Sequence, residues 1–216
     1  MTTFIVVLVG WVFSLCLHEF SHAAVAYGGG DTTVRDKGYL TFNPLKYTHP
    51  FYSLVLPLIF LALGGIGLPG GAVYIETWRL RSRAWISAVS LAGPASNLIL
   101  AIVLGIILSM APAAGGGIWP GLAFLAFLQV SALVLNLIPL PPFDGFGALE
   151  PYLSPDVRGR VAQARGMLPW VVFFLLWYVP LVNGIFWQVV LTLASGVGVP
   201  LQLAQLGLRG FQFWSR

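Results

Sequence analysis

No charged side chain occurs between Ala84 and Phe143, and a second uncharged run extends from Met167 to Leu208. One helix needs about 20 apolar residues to cross a ~30 Å hydrocarbon core. The first run therefore holds two spans, about 84–110 and 119–137, with a turn at Ala113 to Gly117. The second holds two more, with a turn at Asn183-Gly184. A further apolar run from Phe4 to Tyr27 ends at Gly28-Gly29-Gly30. Charged residues make up 8% of the chain, against about 25% in a soluble domain. The chain therefore reads as an integral membrane protein. The N-terminus lacks a basic region and a small-residue cleavage site, so it is not read as a signal peptide.

The stretch from Phe51 to Leu63 is different. It contains Pro57 and is followed by a glycine-rich segment. As a helix it would reach only about 20 Å, so residues 51–66 are expected to re-enter or to lie at the interface. Tyr39 to Phe42 and Ala72 to Ile75, both flanked by turn residues, are expected to be short membrane-associated β strands. The expected fold class is thus an all-α polytopic membrane protein of about five transmembrane helices, with a re-entrant or interfacial segment and those strands. One domain spans 1–216, with a core over 1–150 and a helical hairpin over 167–208.

The first apolar run contains His18-Glu19-Phe20-Ser21-His22. Ionisable groups at membrane depth are costly and call for a chemical reason. On a helix His18 and His22 lie about 40° apart around the axis and about 6 Å apart along it. Two imidazoles so placed can share one metal ion, and Glu19 can take a proton from a water which that ion activates. Cys16, the single cysteine, lies roughly 200° around the helix from His18 and reads as packing.

Two histidines need at least one more protein ligand, with a position left open for water. Asp144 is the only acidic residue between Glu76 and Glu150, and Gly145 follows it. It lies just beyond three prolines, Pro139, Pro141 and Pro142, which end the preceding helix. Asp144 is the expected third ligand.

These residues resemble the site-2 protease family of intramembrane zinc metalloproteases. That family pairs a membrane-embedded HExxH with a distant N-x-x-P-x-x-x-x-D-G, matched here by Asn136, Pro139, Asp144 and Gly145. Between them it carries a G-P-x-x-N helix, matched by Gly93, Pro94 and Asn97. The resemblance implies one zinc ion per chain on His18, His22 and Asp144, and Glu19 as general base. It also implies that Asn97 and Asn136 line a substrate cleft. The implied activity is hydrolysis of peptide bonds within or near transmembrane segments of other proteins. A PDZ or C-terminal regulatory domain, frequent in the family, has no room in these residues. Substrate choice then rests on the membrane part or on a separate adaptor protein.

Charge distribution bears on topology. If 51–63 re-enters, all eleven lysines and arginines fall on one side of the membrane, which positive-inside bias makes cytoplasmic. The last turns of the first helix and Asp144 then share a side. The expected protein is multi-pass in a bacterial cytoplasmic membrane, with its N-terminus outside and its site toward the cytoplasm. The net charge of +4 is no sign of nucleic-acid binding. Arg158, Arg160 and Arg165 read as a topology anchor or an anionic-lipid contact. His49 reads as an interfacial loop residue, and Asp31, Asp36 and Glu76 are expected to be solvated. The competing function is a non-proteolytic subunit of a membrane complex that keeps the fold. A transporter would need polar residues continuing across the membrane, and 84–143 has few.

Overall fold

The computed structural model describes residues 1–47, 73–112 and 115–212. His49, the 51–66 segment and Ala72 lie outside the described residues. Nine α-helices are present among those that are described. They are α1 (Thr2–Gly29), α2 (Thr33–Asp36), α3 (Arg83–Leu108), α4 (Trp119–Asn136) and α5 (Asp144–Leu149). After them come α6 (Pro155–Ala164), α7 (Leu168–Tyr178), α8 (Pro180–Gly196) and α9 (Leu201–Phe211).

α1, α3 and α4 are long and apolar enough to cross a membrane. Two bent pairs, α6 with α7 at 72° and α8 with α9 at 115°, raise the number of candidate spans to five. The outward faces are apolar as well. Ile5, Val9 and Phe13 are exposed on α1, and Ile99, Ile102 and Ile106 on α3. Such stripes suit lipid rather than water.

Inside, α1, α3 and α4 pack on one another. Val7, Trp11, Leu104, Leu128 and Leu135 form a core that α7, α8 and α9 extend through Val172, Phe186, Val190 and Phe211. A smaller cluster, with Cys16, Ala23, Val34, Tyr47 and Val89, closes the other end of α1. Helix serines in this interior satisfy their own hydroxyls. Ser14, Ser21, Ser96 and Ser131 donate to carbonyls three or four residues earlier. Local signals set the helix starts: Ser82 caps α3 and Ser154 caps α6, each accepting a backbone N–H three residues on.

Three expectations fail here. The 167–208 region is not two helices hinged at Asn183-Gly184, which lie inside α8. The breaks fall before Pro180 and at 197–200, because proline has no N–H to continue a helix. Pro180 therefore cannot bond the Leu176 carbonyl, and the Asn183 side-chain amide donates to that carbonyl at 2.8 Å instead.

The short strands are also absent among the described residues. Around 39–42 the backbone spends its groups locally: Tyr39 N–H donates to Val34, and the Thr41 carbonyl accepts from the Tyr47 hydroxyl. Along 73–76 the first and last N–H groups go to carboxylates rather than to a ladder. Val73 donates to Glu19 Oε2 at 3.2 Å and Glu76 to Asp31 Oδ2 at 2.7 Å.

That last bond marks the third failure. Asp31 is fully buried, not solvated, and its other oxygen accepts from the Thr33 backbone and hydroxyl. Glu76 is half-buried and paired with Lys37 at 2.9 Å and Arg79 at 2.6 Å. Hydrogen bonds from Arg79 and then Lys37 lower its pKa to about 2. Asp36 is exposed, as expected.

Candidate metal centre and catalytic cavity

α1 places His18, Glu19 and His22 in its C-terminal half, where all three are buried. Their surroundings come mainly from one face of α3. Val89, Gly93 and Asn97 recur every four residues, matching the four-residue spacing of the histidines. His18 Nδ1–H donates to Asn97 Oδ1 at 2.6 Å, and His22 Nδ1–H donates to the Val89 carbonyl at 2.6 Å. With both protons held at Nδ1, the Nε2 lone pairs are left to bind.

Gly93 sits between these two anchors. A Cβ there would overlap both rings, at His18 Nε2 and His22 Nε2. Pro94 follows it inside α3 and cannot donate to the Ser90 carbonyl. The G-P pair thus gives the imidazoles room against a helix face that would otherwise fill it.

Asp144 arrives at the first turn of α5. Gly145 allows this, because a Cβ at that position would collide with the Leu137 carbonyl. α5 is fastened to α3 by the Ser87 hydroxyl, which donates to the Ala148 carbonyl at 2.7 Å. Asp144 Oδ2 lies 3.2 Å from His18 Nε2 and 3.5 Å from His22 Nε2, and the two Nε2 atoms are 3.0 Å apart. One donor atom from each of the three residues falls within 4.8 Å of the others.

This arrangement fits a metal ion. Two lone pairs facing each other repel unless a cation lies between them, and Asp144 Oδ2 is a buried acceptor with no hydrogen-bond partner. Two imidazole nitrogens and one carboxylate oxygen are a donor set zinc accepts, with a fourth position open. Glu19 lies beside the set in a cavity of about 470 Å³, which Asn136, Ser90 and Tyr74 also line.

Comparison with known proteins agrees. A protein named "Putative zinc metalloprotease Rip2" in Mycolicibacterium smegmatis is 48% identical over 213 residues, which is 98% of this chain and 82% of the relative. Its namesake in Mycobacterium tuberculosis is 47% identical over the same shares. This chain belongs to the site-2 protease family. "Putative zinc metalloprotease YwhC" of Bacillus subtilis, 32% identical over 88% of this chain and 91% of its own length, is a more distant relative. No family model and no solved structure matches the chain.

In this chain the expected residues divide. His18, His22, Asp144 and Glu19 come together, and Asn136 lines the cavity. Asn97 does not. It stands behind His18, buried, with its amide donating to Gln129 Oε1 at 2.8 Å. That bond fixes which end of the amide faces the ring. The chain Gln129–Asn97–His18 was missed from sequence. The available signal was spacing: Gln129 lies seven residues, two helical turns, before Asn136 on the same face of α4. Arg165 is the other surprise. It lines the cavity, whereas Arg158 and Arg160, within the preceding helix α6, do not.

Proposed function

We propose that this chain is an intramembrane zinc endopeptidase that cleaves peptide bonds within or near transmembrane segments of substrate proteins. The observation that carries the reading is the convergence of His18 Nε2, His22 Nε2 and Asp144 Oδ2 within 4.8 Å, in a cavity that Glu19 shares. The three residues hold zinc, and Glu19 is the general base. When bound, zinc supplies a Lewis acid that polarises the scissile carbonyl and acidifies a water.

The chain's own groups do the rest. Glu19 accepts the Val73 N–H with Oε2. Its carboxylate takes the proton of the attacking water and returns it to the leaving nitrogen. Asn97 and the Val89 carbonyl keep the imidazoles from turning. Asn136 is placed to donate to a substrate carbonyl. A peptide bond in a transmembrane helix is dry and internally hydrogen-bonded, so the substrate must unwind locally to enter. The 73–76 segment, tethered by Glu19, Lys37 and Asp31, forms the wall it would meet.

The arginine and lysine distribution supports an N-terminus outside and a site toward the cytoplasm, in a single domain whose partners are membrane proteins and lipid. α3 has 26 residues and spans about 39 Å. Cysteines engineered at Ser82 and Gly116 should therefore label from opposite faces. Labelling from one face would refute this topology.

The decisive experiment measures zinc content and cleavage of a transmembrane model substrate by purified protein. Wild type should carry one zinc and cleave. Glu19→Gln should keep zinc and lose cleavage by about 10²–10⁴-fold, and Asp144→Ala should lose the metal. Full activity in Glu19→Gln would remove the base, and full zinc in Asp144→Ala would remove the ligand.

A further inference from the structure

Among the described residues, Arg165 is the one lysine or arginine lining the catalytic cavity, which it shares with Asn136, Pro142 and Asp144. It stands just after α6 and is exposed. No ion pair joins it to a described residue, and the acids nearest the cavity are engaged elsewhere. Asp144 faces the two histidines, and Glu76 faces Lys37 and Arg79. Asp31 and Glu19 accept backbone N–H groups.

We propose that Arg165 selects substrates carrying an aspartate or glutamate close to the bond that is cut. The inference rests on the endopeptidase reading above. Its exposure sets Arg165 at the mouth of the cavity, while His18, Glu19 and His22 are buried at the floor. A group at the mouth meets a side chain flanking the reacting carbonyl, not the carbonyl itself. A planar guanidinium matches a carboxylate with two parallel hydrogen bonds. The apolar walls supplied by Ile75, Ile86 and Val89 reduce the screening that weakens such pairs in open water. An anionic lipid phosphate offers similar chemistry. Position favours the peptide: Arg165 shares a cavity with Asp144 and Asn136, and Arg158 and Arg160 remain outside it.

The test uses transmembrane peptides in which glutamate, glutamine or lysine is moved along the segment. Binding is read with the full-length Glu19→Gln protein in zwitterionic nanodiscs, and cleavage with otherwise native protein. At one or two positions the glutamate peptide should be preferred over glutamine by about tenfold, as for a hydrogen bond to a charged group. Arg165→Gln should bring that ratio to about one, Arg165→Glu should favour lysine, and Arg158→Gln should leave the ratio as it was.

A ratio near one at every position in the native sequence, or one that survives Arg165→Gln, overturns the inference. So does peptide binding that responds to added anionic lipid through Arg165 with no charge preference, which would make it a headgroup contact. Cleavage without charge preference sinks this inference and spares the endopeptidase. Charge-selective binding without cleavage by the wild type sinks the endopeptidase and keeps Arg165 as a peptide-recognition residue.

Discussion

Two polar clusters flank the C-terminal half of α1, and they are built on opposite terms. Around Asp31 each carboxylate oxygen has a donor: Thr33, the Glu76 backbone, Lys37 and Arg79 account for both acids. Around His18 and His22 the outer nitrogens are held but the inner ones are not, and Asp144 Oδ2 has no donor. The first cluster is complete within the protein and fastens a loop. The second is organised on its outside and incomplete at its centre, as a site for an ion must be. Burial of charge alone therefore does not mark function here; the unmatched acceptors do.

The strongest way to break this contrast is at Gly93. Gly93→Ala would push a methyl into both rings, so zinc content should fall sharply and cleavage by on the order of 10²-fold. Elemental analysis of folded protein checks it. Full zinc loading would mean that α3 does not shape the centre.

Asp31→Ala is the matching change in the closed cluster. It leaves the donors at Thr33 and Glu76 unpaired, which should cost about 1–3 kcal/mol of stability, with zinc per folded protein unchanged. Denaturation in detergent and metal content read the two effects separately. Loss of zinc would show that the clusters are one unit.

The smallest effect is in acid. Glu76 titrates lower in the folded protein, at about 2, than in an unfolded chain. Its stabilisation is therefore present above the unfolded value of about 4.3 and is lost as pH falls through about 2. Comparing thermal unfolding of wild type and Glu76→Gln from pH 5 to 3 should show wild type losing its advantage. The difference should be slight, since the pair with Arg79 faces solvent. Parallel profiles would assign the acid response elsewhere.

Much of this was legible in the sequence because the chemistry is local. Four-residue spacing puts two imidazoles on one face, and a lone carboxylate in an uncharged stretch has few reasons to be there. Helix lengths followed from apolar runs, so α1, α3 and α4 lie within two residues of their expected limits. What failed depended on partners that spacing does not encode. Tyr39–Phe42 and Val73–Ile75 have strand-like composition, but strands need ladders, and here carboxylates and a tyrosine hydroxyl took the backbone groups. Asn183-Gly184 has turn composition, yet Pro180 decided the break. Asp31 looked like a loop acid until a segment 45 residues away closed over it. Asn97 was recognised as part of a motif, but only three-dimensional contact with Gln129 put it behind a ligand.

Both imidazole rings are steadied by the same helix, through Val89 and Asn97 on one face of α3. The two ligands are thus geared together, and a slide or roll of α3 against α1 would tilt them in concert. A substrate wedge, a neighbouring protein or a change in bilayer thickness that nudged α3 would loosen the metal's grip at two points at once, giving the centre a single mechanical handle from within the membrane.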